Sequence, residues 1–200
     1  DPVANAEKWN DKIPPVLQTV LKPEGDYVAV PVNIHRVNWL WLNRKIFERN
    51  KLTPPTDWAQ FVTVADQLKK RGITPLAIGN EPWQLAVLFE TVALGEGGKE
   101  FYRKAFLEQD SATLTGPDMV RVLTRFQQLR AYVPEKYAGL KWHQATNLLE
   151  SGGAAMQVMG DWVKGELSAG NYRPGEDIEC LPSPGSQGLF SYNLDSIAMF

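Results

Sequence analysis

Apolar positions along this chain change their spacing several times, and each change marks an element. Residues 4–19 carry helical spacing, interrupted near Pro14 and Pro15. The turn chemistry of Lys22-Pro23-Glu24-Gly25 then gives way to strand-like Tyr27, Val28 and Val30. Pro31 offers no ladder donor, so this strand ends, bends or lies at an edge there. A second strand pattern over 37–43 sets Trp39 and Trp41 on one face. "NRKIFERNKL" reads as a short amphipathic turn.

The clearest helix is "TPPTDWAQFVTVADQLKKRG". Asp57 (or Thr56) can cap it, and Gln60 stands three residues after Asp57, as in a capping box. Trp58, Phe61, Val62, Ala65 and Leu68 form one stripe, Lys69, Lys70 and Arg71 suit the C-terminal end, and Gly72 stops it. "ITPLAIGN" reads as a buried strand over 73–78. The resulting strand–helix–strand unit implies an α/β layer. Further helices are expected over 84–94, from Gly116-Pro117-Asp118 onward, and over 144–150 with a stop at Ser151-Gly152-Gly153. The second of these lines one face with Met119, Val122, Leu123, Phe126 and Leu129. Ala154, Met156 and Val158 alternate as a strand. "GNYRPGED" and "PSPGSQG" read as loops, and "FSYNLDSIAMF" alternates again up to the last residue.

Composition narrows the class. With 44% hydrophobic and 22% charged residues the chain can build a sizeable core. A net charge of −2 gives no reason to expect nucleic acid as a partner. No apolar run approaches the roughly 20 residues that span a bilayer. No signal-peptide pattern opens the chain and Asp1 is not a natural initiator, so the sequence reads as processed or excised. The single cysteine, Cys180, supports neither a disulfide framework nor a zinc site. It reads as a small idle thiol, or as one that pairs with a cysteine outside this segment. Seven Trp, six Tyr and eight Phe make the chain rich in aromatics, and not all of the indoles can be core.

The common enzyme signatures, GxSxG, HExxH, GxxxxGK[ST] and GxGxxG after a strand, are absent. His35 and His143 lie far apart without cysteine or carboxylate at metal spacing, so neither a metal nor another cofactor is expected. What stands out is polar residues beside Trp at strand ends. Asp161-Trp162 follows a strand and a glycine. Asn193 and Asp195 share one face of the terminal strand pattern. His35 follows the Tyr27–Val30 pattern, and Glu81-Pro82-Trp83 precedes a helix. Strand ends are where α/β sheets build sites. A sugar, apolar on its C–H faces and polar at its rim, needs flat aromatics together with fixed carboxylates and amides. Each residue also has a plain structural reading: Trp162 and Trp83 as packing, Asp161 as a helix cap, His143 as surface, and Trp39, Trp41 and Trp58 as core.

The order of these segments resembles the extracellular sugar-binding proteins of ABC importers, the group that includes maltose-binding protein. "AVPVNIHRVNWLWLNRKIFERNKLTPPTDWAQF" resembles that family's first hinge crossing, "EPW" its Glu-Pro-aromatic helix start, and "NLLESGGAAMQVMGDW" its most specific signature. "YNLD" and the aromatic richness are most similar to monosaccharide, glucose-type members. The resemblance implies an α/β fold, a periplasmic-binding-protein-like type II lobe with a central mixed sheet flanked by helices. This would be mostly the second lobe of a two-lobe hinged receptor about twice this length. Residues 1–34 would be a piece of the first lobe with the first crossing, 35–190 the second lobe, and 191–200 the second crossing. By the same resemblance Trp162 matches the sugar-stacking aromatic, Trp83 an aromatic lining the cleft, and Asn193 and Asp195 polar ligands near the second crossing. His35 matches a polar position occupied by a carboxylate in the maltose binder.

The expected protein is a periplasmic, monomeric receptor, not a catalyst. It would bind a monosaccharide such as glucose and deliver it to the membrane subunits of an ABC transporter, with no cofactor and no nucleic acid. Two other readings stay open: a glycoside-processing enzyme using Asp161 and Asp195, and a receptor for a non-sugar solute.

Overall fold

A computed structural model describes residues 2–173 and 175–198. Asp1, and Met199 and Phe200 of the terminal strand pattern, lie outside the described residues. In chain order the elements are α1 (Pro2–Ala6), α2 (Trp9–Lys12), α3 (Pro15–Leu21), β1 (Ala29–Arg36), β2 (Trp39–Asn43), α4 (Arg44–Asn50), α5 (Trp58–Lys70) and α6 (Pro82–Tyr102). A π-helical turn, Arg103–Leu107, leads to α7 (Ser111–Leu114) and α8 (Pro117–Leu129). Then come α9 (Trp142–Ser151), β3 (Met156–Met159), α10 (Val163–Ala169), β4 (Ile178–Pro182) and β5 (Tyr192–Ala198). The chain divides into two compact units, Asp1–His35 with Tyr192–Phe200, and Arg36–Ser191.

In the smaller unit β1 and β5 pair. Tyr192 and Leu194 pack on a small core of Ala4, Leu17, Leu21, Tyr27 and Ala29, while Asn193 and Asp195 point away from it. Strand β1 runs through Pro31 without stopping. The sheet here has two strands, so each keeps a free edge, the setting in which a strand tolerates proline. The expected first helix is three short ones, separated before Trp9 and at Pro14.

In the larger unit β2 lies between β3 and β4 and runs antiparallel to both. Its side chains alternate between two layers, as strand geometry requires. Leu40 and Leu42 join Met156 and Val158 in the main core with Trp58, Phe61, Leu68, Val92 and Leu129 of α5, α6 and α8. Trp39 and Trp41 face the other way, toward Met159, Ile178, Leu149, Val163 and Leu167, where α9 and α10 pack. Helices on both faces explain why all four residues of β3 are buried.

Helix α5 starts and stops where its pattern says. The Asp57 carboxylate accepts the Gln60 N–H at 2.8 Å, and the Gln60 side chain returns to the Thr56 N–H. Four local expectations change. Residues 75–78 are buried and 73–74 half-buried, but they form no strand: among the described residues they make one isolated parallel bridge, Leu76 to Met156, and Pro75 cannot donate to a longer ladder. "NRKIFERNKL" is a real helix, α4, capped by the Asn43 side chain on the Ile46 N–H. Helix α6 continues past Leu94 through Gly95, where a Cβ would lie 2.1 Å from the Pro184 carbonyl oxygen. That glycine permits close approach rather than stopping the helix. Leu123 is 49% exposed, because α8 buries only the narrower stripe of Met119, Val122 and Leu129, with Phe126 half-buried. Strand β4, between two expected loops, carries Cys180.

Candidate functional site

Strand β3 delivers its last residue, Met159, to the sheet end, and Gly160, Asp161 and Trp162 follow before α10. Asp161 is fastened to Arg36 within the larger unit: its N–H donates to the Arg36 carbonyl, and its Oδ2 accepts the Arg36 N–H, both at 3.0 Å. The position that caps α10 falls on Trp162, so the carboxylate of Asp161 serves this tie to Arg36. Arg36 itself stacks its guanidinium 3.8 Å from the Trp39 ring centre and donates to the Asn38 Oδ1 and the Leu189 carbonyl. Burial holds the Arg36 guanidinium below its ordinary pKa.

The half-buried indole of Trp162 is the centre of an aromatic group. Trp83 lies with its ring centre 6.1 Å away at 58°, and Trp142 at 6.4 Å and 79°. Both partners sit in the first turn of a helix, α6 and α9. The two helix starts are tied together by the Glu81–Lys141 ion pair at 2.6 Å. Glu81 also accepts from Gln84 Nε2, which in turn donates to the Leu140 carbonyl. The Lys141 hydrogen bond, joined by those of Gln84 and Trp83, holds the Glu81 carboxyl below the usual carboxylate range. This network fixes where the two flanking indoles stand. Trp83 is 40% exposed, so part of the group faces solvent.

The remaining expected residues form a second set, on the smaller unit. Asn193 Nδ2 donates to Asp195 Oδ1 at 2.8 Å, and Asp195 Oδ2 lies 3.5 Å from His35 Nε2. His35 is the penultimate residue of β1, within the strand rather than after it. Asn193 and Asp195 share the outer face of β5 because they are two apart. The set offers an amide, a carboxylate and an imidazole in one chain of polar contacts. Trp83 and Trp162 are thus brought together in one unit, and His35, Asn193 and Asp195 in the other.

Trp142 was missed as a site residue, although it carries the same signal as Trp83, a Trp in the first turn of a helix after a loop. Arg36 was missed as well: nothing in the sequence ties it to Trp39 or Asp161. A separate cavity of about 680 Å³ lies between α6, α8 and residues 133–138, lined by Ile78, Leu85, Leu88, Phe126 and Tyr137 among others. None of the expected site residues lines it. Among the described residues no group of three or more His, Cys, Asp and Glu gathers as a metal site would, and no helix is long and apolar enough to cross a membrane.

Residues 1–190 match the bacterial extracellular solute-binding protein family. The chain belongs to that family. The chain is 40% identical over its whole length to a probable sugar-binding periplasmic protein of Brucella suis, of which it covers 47%. It is 23% identical, over 88% of its length, to the glucose-binding protein GlcS of Saccharolobus solfataricus, covering 34% of that protein. A solved chitin oligosaccharide binding protein shares the fold, with a TM-score of 0.78 and 21% identity, over 98% of this chain and 49% of that one. The chain spans about half the length of the Brucella suis relative and of the chitin oligosaccharide binding protein. The α/β type II lobe expected from the sequence is the fold observed, with a sheet covered by helices on both faces.

Proposed function

We propose that the protein is the extracytoplasmic sugar receptor of an ABC importer, and that Trp162 is the platform on which a pyranose lies. The observation that carries this reading is the Trp83–Trp162–Trp142 group, half-exposed at the sheet end and fixed by the Glu81–Lys141 tie. Indole faces take the C–H face of a sugar ring; the amide and carboxylate of Asn193 and Asp195, with His35, suit its hydroxyls. In this reading residues 1–34 belong to a first lobe, 35–190 form the second, and 191–200 return to the first. The two lobes close on the sugar, and the closed form is what the transporter membrane subunits recognise. The receptor works in the periplasm as a monomer.

The named specificities of the relatives favour a sugar over a peptide, polyamine or metal chelate. The glucose binder among them supports a monosaccharide such as glucose. The glycosidase alternative is weakened by Asp161, whose carboxylate is committed to the Arg36 N–H, a poor arrangement for an acid or base that must exchange protons with a substrate.

Calorimetry on the full-length protein with glucose, galactose, mannose and a glucose disaccharide tests the proposal. A monosaccharide is expected to bind at least as tightly as the disaccharide; the reverse order would replace it with an oligosaccharide. Trp162→Ala is expected to weaken binding at least about tenfold, or about 1.4 kcal/mol. Unchanged affinity would return Trp162 to a packing role, and no heat with any sugar would sink the reading.

A further inference from the structure

We infer that Gly160 is a positioning residue that seats the Trp162 indole, through the absence of a side chain rather than through backbone freedom. The inference rests on the platform role proposed for Trp162. Gly160 is buried and is not among the glycines with positive φ, so its backbone makes no special demand. What does make a demand is the ring. A Cβ on Gly160 would lie 2.3 Å from Cζ3, 2.4 Å from Cη2 and 2.6 Å from Cε3 of Trp162. These are three consecutive atoms of the six-membered ring at almost equal distance. An edge-on ring would leave the outer two clearly farther than the middle one, so the indole lies with its face on the Gly160 Cα.

One face of Trp162 is therefore backed by main chain, which leaves the opposite face as the one that can be offered to a ligand. The ring has little room to yield. Its own backbone begins α10, its base packs on the cluster of Trp41, Met159 and Val163, and Trp142 and Trp83 stand beside it. Carbon atoms rest about 3.5–4.0 Å apart, so an added methyl would lift or turn the ring by roughly 1 Å or more. A displacement of that size forfeits much of a stacking contact. The carboxyl side of the same turn is held separately, by the two Asp161–Arg36 hydrogen bonds, so the backbone cannot follow the ring outward without breaking them.

The test is a double-mutant cycle in the full-length protein. It uses Gly160→Ala and Trp162→Phe, whose shorter ring withdraws from Gly160, and Trp162→Ala as a control. The probe is whichever of glucose, galactose, mannose or a glucose disaccharide binds the wild type most tightly. Gly160→Ala is expected to weaken binding about tenfold when Trp162 is present, and less than about twofold in the Trp162→Phe background. It should also change the near-ultraviolet circular dichroism that arises from coupled indoles, with little loss of melting temperature. A merely structural role would instead lower melting temperature and affinity alike in both backgrounds. If Trp162→Ala weakens binding while Gly160→Ala changes neither affinity nor the dichroism, the inference fails and the platform survives. If Trp162→Ala binds like the wild type, or no sugar binds at all, the platform fails and takes the inference with it.

Discussion

Replacing Asn38 with alanine should be among the most damaging single changes in the larger unit. Its side chain is fully buried and makes four hydrogen bonds. Oδ1 accepts from Arg36 Nε and from the Ser191 N–H, each at 3.0 Å. Nδ2 donates to Ser186 Oγ at 2.9 Å and to the Leu189 carbonyl at 3.1 Å. The amide orientation is fixed by its partners, since one side meets only donors and the other includes a carbonyl. Alanine would leave the Ser191 N–H and the Arg36 Nε without this acceptor. The Leu189 carbonyl would still receive Arg36 Nη2, and Ser186 would keep Ser183. Two orphaned donors, one of them charged, plus a small void, come to about 3–5 kcal/mol. Against a typical total of about 5–15 kcal/mol, that is a large share. Urea unfolding followed by Trp fluorescence and circular dichroism measures it. Asn38→Asp keeps both acceptor contacts but sets a carboxylate oxygen against the Leu189 carbonyl, so it too should lose stability. A loss below about 1 kcal/mol for Asn38→Ala would refute the argument that this amide ties residues 36 and 38 to 186–191.

Two further predictions concern titration. Burial, and then Glu166, raise the Glu150 carboxyl pKa, and Glu150 Oε1 has no hydrogen-bond partner among the described residues. The folded state thus binds this proton more tightly than the unfolded chain does, so ionisation above about pH 4.3 costs stability. Glu150→Gln should raise the urea midpoint at neutral pH, with the gain shrinking as pH falls through that value; an equal gain at both would count against it. Burial pushes the Cys180 thiol up to about 12, so the folded state keeps a proton that an unfolded thiol loses above about pH 8.5. Stability should fall as pH rises past that point, and less steeply in Cys180→Ser; identical slopes would show that Cys180 plays no part. Tyr132, raised to about 12 mainly by burial, contributes a separate alkaline loss that the serine variant keeps.

Much of the fold was legible because it is written locally. The cap of α5, the Gly116-Pro117 start of α8, the stop of α9 and the buried run of β3 are all set by residues within a few positions of one another. The pairing of Asn193 with Asp195 was legible for the same reason, since two-residue spacing in a strand places both on one face. Pattern alone erred where a residue type has two uses. The helix expected to end at Leu94 runs on through Gly95, which serves close packing; Leu123 looked like core and lies beyond the edge of the buried stripe. For residues 73–78 the apolar run was right that most of the segment is buried and wrong in reading a strand, since it makes one isolated bridge among the described residues.

By itself the sequence determined most of the helices and strands, which faces are apolar, and that indoles stand beside polar groups at strand ends. Only the tertiary structure decided that Trp83, Trp142 and Trp162 form one group, although Trp83 is far from the others along the chain. It also decided that Asp161 serves Arg36, and that Asn38 binds residues about 150 positions away. The reason is physical. Periodicity and capping follow from backbone geometry within a turn or two, whereas the choice of a distant partner depends on how whole layers pack, which no local pattern encodes. The seat of Trp162 on Gly160 shows both at once: the two residues are near neighbours in sequence, yet the ring lies on the glycine because α9, α10 and the first turn of α6 hold it there.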